Sequence, residues 1–190
     1  MTRLIGSSSR LSPFTVTADI GAYISSLERL LEKLDQTAVQ QIAGRLRDCK
    51  ARGRTVYVAG NGGSQANAAH LVLHLQDVGI RAHDLMAGLP SLSAAANDYS
   101  YADALRLNLQ AQGVPGDTLV VISGSGASAN IILVLAEAKR LGIYSIGLFG
   151  FPGSAGRLLC DLAIETGGDA YGPVEDTHSA IIHLLQQLLA

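Results

Sequence analysis

The chain has 190 residues, 48% hydrophobic and 16% charged, with a net charge of −2. That length suits one domain around a single core, and the near-neutral balance gives no sign of a nucleic-acid or membrane-surface partner. Cys49 and Cys160 lie far apart outside any CxxC pattern and read as buried thiols of a reducing compartment; with no apolar run near the ~20 residues of a spanning helix and no leader-like start, a cytoplasmic protein is expected.

In chain order, residues 1–16 are Ser-rich and aperiodic and read as an extended or mobile arm, leaving 17–190 as one domain. Ile20, Tyr23, Ile24, Leu27, Leu30, Leu31 and Leu34 recur at helical spacing, with Thr17 or Asp19 as cap. Asp35 caps a second helix striped by Val39, Ile42, Ala43 and Leu46. The apolar face of this helical pair has two readings, packing within its own domain or contact with another subunit. After Gly53 come β-rich runs at 55–60, 118–123, 144–149 and 161–166, with a weaker one at 80–85. Helical stretches at 64–77, 100–111, 127–141 and 174–189 separate them. This alternation predicts a parallel sheet covered on both faces, whose ligands bind beyond the carboxyl ends of the strands, where strand order reverses.

Three loops fall there: GNGGS, SGSGAS and GFPGS. In the second, Ser123, Ser125 and Ser128 alternate with Gly124 and Gly126 ahead of a helix. Glycines allow close backbone approach, helix-start amides favour an anion, and hydroxyls add uncharged donors. The loop lacks the lysine of a P-loop and the GxGxxG fingerprint, so it suits a phosphate monoester on a small molecule. Its plainer reading is a glycine-rich connection with Ser128 as helix cap. GNGGS offers a second such turn, with Asn61 and Gly62 in the loop and Ser64 as N-cap.

His70 and His74 are four residues apart, about 40° past one helical turn, and share a face. The last helix carries Glu175, His178 and His183, and Glu175 and His183 differ by about 80° around it. Imidazoles with a carboxylate suit zinc or another first-row divalent ion. His83 and His178 read as bland, on an edge strand and in packing. Asn97 and Asp98 either orient a ligand or form a cap and turn before a helix.

Taken together, GNGGSQANAAH, ANDYSYADAL, ISGSGASANI, AEAKRLGIYSIGL and VEDTHSAIIH resemble the sedoheptulose 7-phosphate isomerase (phosphoheptose isomerase) family of sugar isomerase (SIS) domains, from about residue 20 onward. The resemblance implies a three-layer α/β sandwich around a five-stranded parallel sheet, flavodoxin-like, with two N-terminal helices that help build a homotetramer. It implies aldose–ketose isomerisation of a phosphorylated sugar, sedoheptulose 7-phosphate to a manno-heptose 7-phosphate. Ser64, Ser123, Ser125 and Ser128 match phosphate-binding serines, His70 matches a zinc ligand of some members, and His183 matches the catalytic histidine, which also binds metal.

The departures are specific. His74 stands where the family has a catalytic glutamate, and Glu175 where it has a glutamine. Gly172 and Pro173 replace an acid and an arginine, Gly124 and Ala127 replace a threonine and an asparagine, and Asp77 and Val78 lie where an arginine is expected. An exchange of roles is expected: the carboxylate absent at 74 reappears at Glu175, giving the metal set His70, His74, Glu175 and His183 for Zn2+. Glu175 or His74 then moves the proton and His183 serves the sugar oxygens; a shell closed by all four would make the metal structural. The rival expectations are another phosphosugar substrate and a non-catalytic domain that binds a phosphosugar or a protein.

Overall fold

The computed structural model describes residues 19–190; the arm expected at 1–16, and Thr17 as a cap, lie outside them. Two helices come first. In α1 (Ile20–Glu32) the Asp19 carboxylate accepts the Ala22 amide, and in α2 (Gln36–Ala51) Asp35 does the same for Ala38 at 2.9 Å. Both caps satisfy amides that have no partner inside the helix.

Strands β1 (Val56–Ala59), β2 (Ala82–Asp84), β3 (Thr118–Ser123), β4 (Tyr144–Phe149) and β5 (Leu162–Glu165) form one parallel sheet in the order β2-β1-β3-β4-β5. Its two faces carry separate cores, because side chains alternate along each strand. Val56, Val58, Val120, Ile122, Ile146 and Leu148 meet α2, α3 (Gly63–Asp77) and α7 (Tyr171–Leu189). Tyr57, Ala59, Leu119, Val121 and Phe149 meet α5 (Tyr101–Gln112) and α6 (Ala129–Leu141). Central β3 is buried along all six residues, as a strand covered on both faces must be. The parallel sheet covered on both faces expected from the alternation, and the three-layer α/β sandwich implied by the resemblance, are therefore present.

A helix absent from the expected pattern, α4 (Leu89–Asp98), sits between β2 and α5. It contains Asn97 and Asp98 in its last turn, so these residues end a helix; the cap of α5 is Ser100, whose hydroxyl accepts from the Asp103 amide. A 3-10 turn, Ala155–Leu159, follows β4. Helix α1 leans on α7, yet Leu30 is its one buried residue, and Ile20, Ile24 and Leu31 stay exposed. No helix among the described residues is long and apolar enough to cross a membrane.

Candidate active site

Strand order reverses between β1 and β3, which makes their neighbouring carboxyl ends the crevice of this sheet. The turn after β1 is tight. Gly62, with φ +56°, is the N-cap of α3, and a Cβ at Gly60 would strike the Ser64 backbone. Ser64 is accordingly not the expected cap; it lies buried within the first turn. After β3, Ser123 Oγ accepts the Gly126 amide at 3.0 Å and Ser125 Oγ the Ala127 amide at 3.3 Å. Each hydroxyl keeps its own hydrogen for a ligand. Ser128 holds the N-cap position of α6 without a side-chain cap bond, so its hydroxyl is not used as a cap. Gly124 O accepts from the Gly150 and Phe151 amides, tying this loop to the one after β4.

The β1 and β3 loops are joined by a reciprocal amide pair. Asn61 Nδ2 donates to Asn130 Oδ1 at 3.0 Å, and Asn130 Nδ2 donates to Asn61 Oδ1 at 2.8 Å. The Tyr101 hydroxyl donates to the same Asn61 oxygen at 2.8 Å. With that oxygen doubly occupied, Asn61 has one amide hydrogen left.

Beside these loops, three imidazoles converge. His70 and His74, on α3, bring their Nε2 atoms to 2.8 Å. His183, on α7, closes the group, with ring centroids 5.0 Å from His70 and 5.4 Å from His74. One donor atom from each lies within 4.8 Å of the others. Burial pushes the His70 pKa down, and the charges of His74 and His183 lower it further, so His70 favours the neutral form that binds metal. His74 Nδ1 is buried without a hydrogen-bond partner. Three convergent imidazoles are a donor set that fits zinc.

Glu175 is not in that triad. Its carboxylate stands over Gly63, where any Cβ would collide with it, while its backbone oxygen accepts from Asn67 Nδ2 at 2.9 Å. It therefore sits at the amino end of α3, where a negative charge is favoured. Even so, burial first and Asp176 second raise its pKa above the usual carboxylate range. Next to it, the Tyr23 hydroxyl of α1 donates to Asp176, a bond that pushes the tyrosine up to about 12.

Residues 22–150 match the SIS domain family. The phosphoheptose isomerase of Geotalea daltonii is 34% identical over 180 residues, spanning 90% of this chain and 94% of that protein. The chain belongs to the phosphoheptose isomerase family of SIS domains. Solved structures agree: the phosphoheptose isomerases from Neisseria gonorrhoeae and Francisella tularensis, each 26% identical, superpose with TM-scores of 0.85 and 0.86. They cover 88% and 92% of this chain, and this chain 95% and 98% of theirs.

Of the residues singled out in the sequence, this SIS domain brings Asn61, Gly62, Ser64, Ser123, Gly124, Ser125 and Ser128 to its switch point, and His70, His74 and His183 to one another. Asn97 and Asp98 are exposed, and Asn97 donates to its neighbour. Sequence reasoning did not single out Asn130, Tyr101 or Gly63. Asn130, at the second position of a helix behind a serine-glycine loop, carried a usable signal: an amide there is otherwise a poor helix choice.

Proposed function

We propose that this chain, an aldose–ketose isomerase of phosphosugars by its family, converts sedoheptulose 7-phosphate to a manno-heptose 7-phosphate with a divalent metal held by His70, His74 and His183. The observation that carries the reading is the imidazole triad beside two serine-glycine loops at the switch point of the sheet. Ser64, Ser123, Ser125 and Ser128 bind the phosphate through hydroxyls and loop amides, Gly62 and Gly124 letting the backbone approach. The remaining amide hydrogen of Asn61 orients the sugar. Asn97 and Asp98 belong to the substrate side through the family motif alone.

Isomerisation moves one proton between C1 and C2 and another between the two oxygens. Glu175 is the carboxylate nearest in kind to a base tuned for neutral pH, since burial already raises it. It takes the proton from one carbon and returns it to the other. His183, exposed at the mouth of the triad, serves the oxygens through the ring nitrogen that the metal leaves free. A zinc ion held by His70, His74 and His183 would supply Lewis-acid polarisation to the reacting carbonyl. Glu175, standing apart over Gly63, stays available as base, and a three-ligand shell suits catalysis better than the four-ligand shell first expected. His74 then serves the metal in place of the proton transfer.

The exposed face of α1 supports a homotetramer. The test is an isomerase assay on sedoheptulose 7-phosphate together with elemental analysis of the purified chain. The expected result is turnover with zinc in the wild type and the loss of both in His183→Ala. Phosphosugar binding without turnover on any sugar of a panel would make the chain a binding module instead.

A further inference from the structure

His74 has two ring nitrogens in different surroundings. Nε2 faces His70 Nε2 at 2.8 Å, inside the triad. Nδ1 points away, buried and without a hydrogen-bond partner, and the Asp77 Oδ2 atom stands 3.9 Å from it. We propose that Asp77 is a positioning residue for the triad: its carboxylate accepts the Nδ1–H of His74, fixes the tautomer that presents Nε2 to a divalent cation, and thereby sets the affinity of the site. The proposal rests on the metal-binding reading above and assigns a role to a residue outside the ligand set.

Three observations support it. An imidazole that gives Nε2 to a metal keeps its proton on Nδ1, and a buried N–H needs an acceptor. The 3.9 Å separation closes to a charge-assisted hydrogen bond with a movement of about 1 Å, and the Asp77 side chain, 57% exposed, has room to make it. Asp77 is also the last residue of α3, where the helix dipole disfavours a carboxylate. Helix stability therefore gives no reason for an acid there, whereas an imidazole one turn earlier does. Exposure screens the pair in the absence of metal, so its effect falls on orientation and not on folding.

The experiment is a zinc titration of the purified full chain against a chromophoric chelator, for wild type, Asp77→Ala, Asp77→Asn and Asp77→Glu, with thermal midpoints of the metal-free proteins alongside. Asp77→Ala should bind zinc about 10- to 100-fold more weakly. Asp77→Asn, which keeps an acceptor without the charge, should fall between Ala and wild type, and Asp77→Glu should recover most of the affinity. The metal-free midpoints of Asp77→Ala and Asp77→Asn should be unchanged or slightly higher. Zinc affinity within twofold of wild type in Asp77→Ala overturns the proposal, as does a loss of affinity matched by a lower metal-free midpoint. A wild-type chain that binds zinc no better than His70→Ala overturns the metal-site reading itself, a result distinct from either of these.

Discussion

Glu175 and Gly63 act as a pair. The carboxylate occupies the space a side chain at position 63 would take, so Gly63→Ala displaces the proposed base without touching its chemistry. Glu175→Gln removes the chemistry without moving the side chain. Both should lower kcat, Glu175→Gln by about 10²- to 10⁴-fold, the usual contribution of a positioned base, with zinc content unchanged in each. Activity should rise with pH through an inflection above the ordinary glutamate value, because burial raises that group and only its ionised form accepts a proton. A second group, fully buried, has its pKa shifted in the opposite direction. His178 is fully buried, its ring nitrogens short of hydrogen-bond geometry, and burial depresses its pKa to about 4 despite an opposing effect of the Phe149 backbone. Above about pH 6.5 the imidazole is neutral whether the chain is folded or not. Between there and pH 4 only the unfolded chain takes the proton, so stability falls as pH falls, by about 3 kcal/mol in all. Thermal melts from pH 7 to pH 4 should show this slope, and His178→Phe should flatten it. At this scale the histidine pairing was legible because helical spacing puts positions 70 and 74 on one face. The separation of Glu175 from the triad was not, because it depends on how α7 crosses α3 and on the space left by one glycine.

Single elements position the site through their ends, and their ends were the least legible part. Strands β3 and β4 coincide with their apolar runs because both are buried on two faces, and burial is what writes an apolar run into a sequence. Helix α4 buries only Ala95, so it left no periodic signal. Helix α3 begins one residue before the serine that looked like its cap, because Gly62 takes up the positive φ of the turn. The loops after β1 and β3 cohere through the Asn61–Asn130 pair, which no local pattern reveals, since it joins residues 69 apart. That tie fixes which way the Asn61 amide faces. Asn130→Ala should raise KM for the phosphosugar several-fold more than it lowers kcat, and should cost about 1–3 kcal/mol through the loss of both hydrogen bonds to half-buried Asn61. Tyr101→Phe, which removes one donor to the same oxygen, should shift KM in the same direction by less. Equal falls in kcat and kcat/KM would assign both residues to the chemistry instead.

Across the whole molecule, apolar surface lies where the described residues of one chain leave it exposed. Helix α1 exposes Ile20 at 78% and Ile24 at 50%. A groove of about 640 Å³ lined by Leu31, Leu34, Val39, Leu184 and Leu188 runs between α1, α2 and α7. Large exposed apolar surfaces mark association, and this one adjoins the site: α7 carries Glu175 and His183, and Tyr23 of α1 bonds to Asp176 beside the proposed base. The stripe was plain in the sequence, but only the fold shows that the other described residues leave it uncovered. Packing of α1 against other copies would hold α7, and with it the base, in place. Light scattering at micromolar concentration should therefore give a tetramer, and Ile20→Asp with Ile24→Asp should shift it to smaller species. Turnover should fall in proportion to tetramer lost, while zinc affinity, set within one chain by α3 and α7, should stay within a few-fold of wild type. A fully active monomer would sever assembly from catalysis, and a dissociated variant that also lost zinc would mean that neighbouring copies hold the triad together.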